Sequence, residues 1–254
     1  MSDDGLSIID GFATRTAMEA DDFPQWPGNA TPAIPGYLED TYWWAYLRSG
    51  SIWVFEREWL VNLILMGNMH RLTNAVLDEI GNEAPGEVLQ LACVYGDFSN
   101  RLATHLKNSR SQLHVLDIAS IQLRNARRKL RHHISIRLHH QDSSALQFSA
   151  NRFEHTVVFF LLHEQPEEVR RKTISEAIRV TRPGGKVIFV DYHGPRWSNP
   201  LRYLIWPVLK WLEPFALDLW QTELEDYLPE GIERERISSK FYCGSLYQRV
   251  VIDC

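Results

Sequence analysis

From residue 86 onward, short runs of apolar residues alternate with segments in which apolar positions recur every three or four residues. Short runs bounded by turn residues read as buried strands, and the longer spacing reads as amphipathic helices. The pattern predicts strands over 88–91, 113–117, 134–139, 155–162 and 186–191, with helices over 98–106, 121–130 and 167–180. The 155–162 stretch is dominated by an unbroken apolar run, as a central parallel strand should be. TRPGG at 181–185 reads as a turn. Upstream, residues 37–81 carry the helical spacing, and 82–86 break the chain before the first strand. Residues 1–35 contain Pro24, Pro27, Pro32 and Pro35 and show little periodicity. Downstream, 200–220 is an aromatic helical stretch interrupted by proline, and 232–238 with 246–252 read as a β-hairpin around Gly244. Repeated βα units predict an α/β fold built on a doubly wound, mostly parallel sheet, with its ligand site beyond the carboxyl ends of the strands. The chain then divides into a flexible lead-in (1–35), a helical N-terminal cap (36–85) and an α/β domain (86–254) carrying a helical lid at about 197–228.

Composition narrows the function classes. The 254 residues carry a net charge of −5, and their Lys and Arg are scattered through amphipathic segments, so nucleic acid is not an expected partner. Three cysteines, Cys93, Cys243 and Cys254, lack metal-ligand spacing and point to a reducing compartment. No secretory or transit signal and no apolar run long enough to span a bilayer is visible, which makes a cytoplasmic location the expectation.

The segment GEVLQLACVYGDFSNR (86–101) is a strand, a turn and a helix start, the arrangement that holds a phosphate or nucleoside. Its turn positions are Gln90, Ala92, Val94 and Gly96, with Tyr95 between the last two. Only one of them is a glycine, so the backbone has less room for a ligand than such loops usually leave. Asp117 closes the second strand, 21 residues after Gly96. That spacing suits a carboxylate that accepts hydrogen bonds from two ribose hydroxyls, with Ile118 beside it; the same aspartate also reads as a helix cap. Asp142 and Ser143, after the third strand, suit an adenine amino group and ring nitrogen, and a plain capping role for Asp142 stays open. His163 and Glu164 follow the fourth strand, Asp191 and His193 the fifth. A doubly wound sheet would aim all four at one crevice. They form either a donor set of intermediate hardness for Mn²⁺, Fe²⁺ or Zn²⁺, or a general acid and base; capping or solvated groups are the plain alternative. Tyr42, Trp43, Trp44 and Tyr46 crowd one helical turn, and Trp197, Tyr203, Trp206, Trp211, Phe215 and Trp220 recur downstream. Such stripes are core, a roof over an apolar pocket, or an interfacial element, and Pro207 and Pro214 argue against one long core helix.

Taken together, IPGYLEDTYWWAYL, FEREWLVNLILMGN, LQLACVYGDFS, QDSSALQF, FFLLHEQPEEVRRK, VTRPGGKVIFVDYH and LEPFALDLW resemble the rhodoquinone biosynthesis family (RquA), relatives of the ubiquinone and menaquinone methyltransferases. The resemblance covers 34–220, and VYGDFS and LLHEQP are its most restricted motifs. It implies a class I fold that uses S-adenosylmethionine (SAM), with the Rossmann-like sheet already expected. It also implies conversion of ubiquinone to rhodoquinone, in which an amino group from SAM replaces a ring methoxy with the help of manganese. Asp117 and Asp142 match the family's SAM-contacting acids, and Tyr42 its aromatic N-terminal segment, a candidate for catalysis. The usual loop of class I methyltransferases resembles (D/E)-x-G-x-G-x-G; its replacement by Gln90, Ala92 and Val94 is a feature of the rhodoquinone family. A lipid-dissolved ubiquinone implies a peripheral position on a bacterial inner membrane. Two other readings predict different outcomes: a conventional SAM-dependent methyltransferase acting on a quinone or another lipophilic molecule, and a SAM-fold protein that binds without catalysing. The sequence gives no oligomeric state.

Overall fold

The computed structural model describes residues 32–42, 55–81, 86–107 and 111–254. Most of the lead-in, Trp43, Trp44 and Tyr46 of the first aromatic cluster, and most of the break at 82–86 lie outside them. The cap contains α1 (Gly36–Thr41), α2 (Glu58–Ile64) and α3 (Met69–Ile80). The domain then runs β1 (Glu87–Leu91), α4 (Phe98–Leu106), β2 (Gln112–Asp117), α5 (Ser120–Lys129), β3 (Ile136–His140), β4 (Phe153–Phe159), α6 (Glu167–Val180) and β5 (Thr181–Tyr192). A 3₁₀ turn, Leu162–Glu164, separates β4 from α6. After β5 come α7 (Leu201–Leu212), a 3₁₀ turn (Pro214–Leu217), α8 (Asp218–Gln221) and the antiparallel β6 (Ile237–Tyr242) and β7 (Tyr247–Asp253).

The seven strands stand in the order β3-β2-β1-β4-β5-β7-β6. Pairs from β3 through β5 are parallel, and β7 joins β5 antiparallel. The doubly wound sheet is therefore as expected, and the order reverses between β1 and β4, where such sheets open a crevice. Successive residues on one strand face opposite sides. Val88 packs with Leu72, Val76, Phe98 and Leu102 on one face, while Leu89 and Leu91 pack with Ile174, Ala177 and Val180 of α6 on the other. This double burial is why the strands read as continuous apolar runs.

Two details differ from the sequence expectation. TRPGG is part of β5: Thr181 pairs with Phe153, the register shifts, and pairing resumes at Lys186 with His155. The turn residues sit in a bulge tied to the chain end, with Gly184 N–H donating to Cys254 O at 2.6 Å and Cys254 N–H to Gly185 O at 2.8 Å. The first hairpin arm starts at Ile237 because 3₁₀ turn Arg234–Arg236 takes up the residues before it.

Candidate active site at the carboxyl ends of the parallel strands

The segments that follow β1, β2, β3 and β4, with the end of β5, line one cavity of about 170 Å³ that opens to solvent. The cap closes it from above through Tyr37, Leu38, Tyr42, Val61, Leu65 and Met69, and Glu213 reaches it from the end of α7.

After β1, Ala92 has φ of +69°, a left-handed conformation that costs a non-glycine residue about 1 kcal/mol or more. The loop is braced from behind. Gln90 Nε2 donates to Ala92 O and to Ser99 Oγ, both at 2.9 Å, and Lys129 Nζ donates to Val94 O and Gly96 O at 3.0 and 2.8 Å. Gln90 and Gly96 are therefore not among the residues facing the cavity, whereas Ala92, Cys93, Val94 and Tyr95 are. Tyr95 stacks on Phe55 and accepts a hydrogen bond from Gln122 Nε2 at 2.7 Å.

Asp117 and Ile118 line the same cavity. Asp117 is buried, its Oδ2 accepting Cys93 N–H at 2.7 Å and its Oδ1 accepting Ala119 N–H at 2.8 Å. Burial pushes this carboxyl up to about 6, against the lowering effect of those two N–H groups. Ala119, not Asp117, is the N-cap residue of α5. Asp142 Oδ1 accepts Ser144 N–H and the Ser144 hydroxyl, each at 2.8 Å, which braces the turn after β3; no helix starts there to be capped, and Asp142 keeps a place on the cavity wall. Ser143 Oγ accepts from Gln165 Nε2 at 3.1 Å.

At the other end of the cavity lies a buried charged cluster. Asp191 Oδ2 accepts the N–H groups of Leu162 and His163, which fixes the 3₁₀ turn, while its Oδ1 accepts Tyr192 N–H and lies 2.9 Å from His163 Nδ1. His163 Nε2 stands 3.7 Å from both Glu164 Oε1 and Glu213 Oε2. Burial alone would lower the imidazole; Asp191 above all, with Glu213 and Glu164, outweighs it and raises His163 to about 9, so the ring is an imidazolium at neutral pH. Burial raises the Glu213 carboxyl, and it raises the Tyr42, Tyr37 and Tyr192 hydroxyls well above their usual range, with nearby carboxylates adding to it. Phe160 and Tyr192 set their rings edge-on to His163 at 5.9 and 5.0 Å.

His193 is a correction. The expected convergence of four groups holds for His163, Glu164 and Asp191, but the chain turns outward after Tyr192. His193 Nδ1 lies 2.8 Å from Ser245 O and its Nε2 3.1 Å from Glu223 Oε2, so it belongs to the hairpin side and not to the cavity. The expected metal set is corrected with it. Among the described residues no group of three or more His, Cys, Asp and Glu is arranged to hold a metal ion. Asp191 is spent on the turn and on His163. The manganese that the resemblance implies does not fit this donor set.

The sequence reading missed Tyr37, Phe160, Gln165, Tyr192 and Glu213. Tyr192 could have been found from its place beside Asp191. Glu213 stood in the sequence as one more charge between aromatic residues.

Residues 88–185 match the family model described as "Methyltransferase domain". A ubiquinone/menaquinone biosynthesis C-methyltransferase UbiE from Wigglesworthia glossinidia brevipalpis is 29% identical over 140 residues, covering 54% of this chain and 55% of that one. The enzyme of the same name from Nitrosospira multiformis is 31% identical over 153 residues, covering 59% and 61%. The chain thus spans little more than half the length of the curated relatives it matches. Among solved structures, a putative SAM-dependent methyltransferase from Methanococcus maripaludis superposes with a TM-score of 0.53 at 15% identity, covering 80% of this chain and 92% of that one. The reversal of strand order at β1 and β4, the cavity at the strand ends and these matches give this chain the Rossmann-like fold of class I SAM-dependent methyltransferases, with residues 88–185 similar in sequence to the methyltransferase-domain model.

Proposed function

We propose that this chain is a SAM-dependent transferase acting on the ring of a lipophilic quinone, and that it replaces a ring methoxy of ubiquinone with an amino group, as in rhodoquinone formation. The observation that carries the reading is one cavity joining a nucleoside-type wall, Asp117, Asp142, Ser143 and the Ala92–Tyr95 loop, to a buried imidazolium among carboxylates under an apolar cap. The quinone-enzyme relatives and the resemblance across 34–220 support the substrate class. Bound on the nucleoside wall, SAM would supply either its amino nitrogen or its methyl group.

The residues at the far wall suit the exchange. A methoxy-substituted quinone is a vinylogous ester, so a nitrogen entering at the ring carbon pushes negative charge onto the carbonyl oxygen, and the departing methoxide needs a proton. The nitrogen is then still bonded to the SAM α-carbon; the balance closes when the quinone ring takes up two electrons and two protons as that C–N bond becomes an imine, which water splits into the aminoquinol and the 2-oxo acid left from SAM. His163 can present the Nε2 proton to either oxygen, held in orientation by Asp191. Glu164 and Glu213, each 3.7 Å from that nitrogen, can accept the proton given up by the incoming amine. Tyr42 walls the cavity beside them, its hydroxyl kept neutral by burial.

The second reading, methyl transfer to a quinone ring, is favoured by one observation, the name C-methyltransferase carried by both relatives. Incubation of the protein with SAM and ubiquinone, followed by mass spectrometry of the quinone, tests the proposal. Loss of methoxy with gain of nitrogen supports amino exchange. Gain of one methyl group on the corresponding precursor quinol, with ubiquinone left intact, supports the second reading.

A further inference from the structure

α7 uses little of its apolar surface for packing. Ile205 and Leu209, four residues apart, form its buried stripe. Leu204, Val208, Trp211 and Leu212 are exposed, Trp211 to 84%, and Trp197 just upstream to 77%. A water-facing helix would carry polar residues there. Residues 196–212 instead contain Arg196, Arg202 and Lys210 and no acidic residue, in a chain whose net charge is −5. Two of these cations lie over indole rings: Arg202 at 4.2 Å from the Trp197 ring and Lys210 at 4.9 Å from that of Trp206. Aliphatic side chains flanked by Trp and basic residues are the mix that settles at a bilayer surface, with rings and cations at headgroup level.

A second helix adds exposed apolar residues, though it has Glu58 and no cation of its own. Trp59, Leu63 and Ile64 of α2 are exposed, Trp59 to 62% and Leu63 to 65%. Ile64 also lines the cavity, as does Glu213, the residue that follows α7. α2 and the residue that ends α7 therefore both reach the wall of one cavity. Its cap-side wall, Val61, Ile64, Leu65 and Met69, is apolar as well.

We propose that α7 and α2 form a docking face for an anionic lipid bilayer, and that the cavity is reached from the lipid between them. The local positive charge, opposite in sign to that of the whole chain, selects an acidic lipid surface over a neutral one. The apolar continuity through Ile64 lets an isoprenoid tail remain in lipid while its head group enters. The docking face stands on exposure and charge, independently of the reaction assigned above.

The test is co-sedimentation of the whole protein with quinone-free vesicles of phosphatidylcholine alone or mixed with phosphatidylglycerol. The expected result is binding to the anionic vesicles, weakened by salt and by Lys210→Gln, the latter by roughly fivefold. Trp211→Glu and Leu63→Glu each lower the bound fraction while SAM affinity, measured on the same preparations, is unchanged. Quenching of the parent's tryptophan emission by lipids brominated in their acyl chains reads the same contact without any substitution. Protein left in the supernatant with both vesicle types, or unquenched by the brominated lipid, overturns the proposal. So does a concentration-dependent dimer that Trp211→Glu dissociates, because the face would then belong to a second copy of the chain.

Discussion

Asp117 already accepts two backbone N–H groups, yet a carboxylate has about four acceptor positions, so it retains capacity for a ligand's hydroxyls. Loss of charged hydrogen bonds from a buried site costs about 1.5–3 kcal/mol, and that is the expected drop in SAM affinity for Asp117→Ala, measured by calorimetry. The carboxyl titrates at about 6, so SAM affinity should be full above that pH and decline as pH falls through it. Asp117→Asn should flatten the profile, and a parent profile flat from neutral to acidic pH would remove Asp117 from the site. At His163 the expectation is different. His163→Gln should lower turnover by roughly 10²–10⁴-fold, the usual contribution of a positioned acid or base, and leave SAM affinity unchanged. Equal turnover of variant and parent would exclude His163 from proton transfer. Asp117, Asp142, His163 and Glu164 were legible from the sequence because they sit at strand ends, whose positions the apolar runs mark. Glu213 and Tyr37 were not, because the lid and cap bring them to the cavity through tertiary packing that no local spacing records.

The elements that shape the site depend on two residues whose roles local patterning hides. Arg170 lies on α6 next to the exposed Arg171. Arg170 is fully buried: its guanidinium donates to Leu162 O, Gln165 O and Phe215 O, each at 2.9 Å, and stacks over Tyr227. It thereby ties the His163 turn to the lid segment that carries Glu213. Arg170→Met should leave Gln165 O without this donor and reduce Leu162 O and Phe215 O to the N–H groups of Gln165 and Asp218, and at about 1–3 kcal/mol for an unsatisfied group it should lower the unfolding free energy and release the lid. Chemical denaturation gives the first effect and limited proteolysis between 196 and 230 the second. The second residue is Gly185. TRPGG read as a turn because proline and glycine punctuate local structure, but here Gly185 lets β5 approach β4. A Cβ on Gly185 would stand 2.1 Å from Glu154 O and 3.0 Å from Arg182 O, both backbone atoms. Gly185→Ala should therefore destabilise the fold by about 1–3 kcal/mol, as overpacking does, and a melting temperature equal to the parent's would contradict the bulge.

Across the whole molecule the sheet was the most legible level, since strands buried on both faces announce themselves as apolar runs in a βα alternation. The crossing of the lid over the strand ends was not, and neither was the outward path of His193. A paired burial at the β2–β3 edge also escaped the reading. His114 and His139 stack 5.0 Å apart, with His114 Nδ1 2.9 Å from His139 Nε2, against Phe148 and Phe153. Burial above all, with Arg152 and Arg137 adding to it and Glu87 opposing it, lowers both imidazoles to about 4. In the unfolded chain they would titrate near the ordinary 6.5, so between that value and about 4 the unfolded state binds more protons. Stability should thus be full above pH 6.5 and fall as the pH drops towards 4, and His139→Gln should shrink that slope in denaturant titrations. An unchanged slope would show that other groups control acid unfolding.

The central claim concerns which atom leaves SAM. Protein incubated with ubiquinone and SAM that carries heavy nitrogen at its amino group and a deuterated methyl decides it in one mass spectrum of the extracted quinone. The account predicts a product that has lost one methoxy and carries the heavy nitrogen without deuterium; a quinone product bearing the deuterated methyl, or one whose nitrogen is unlabelled, would contradict it.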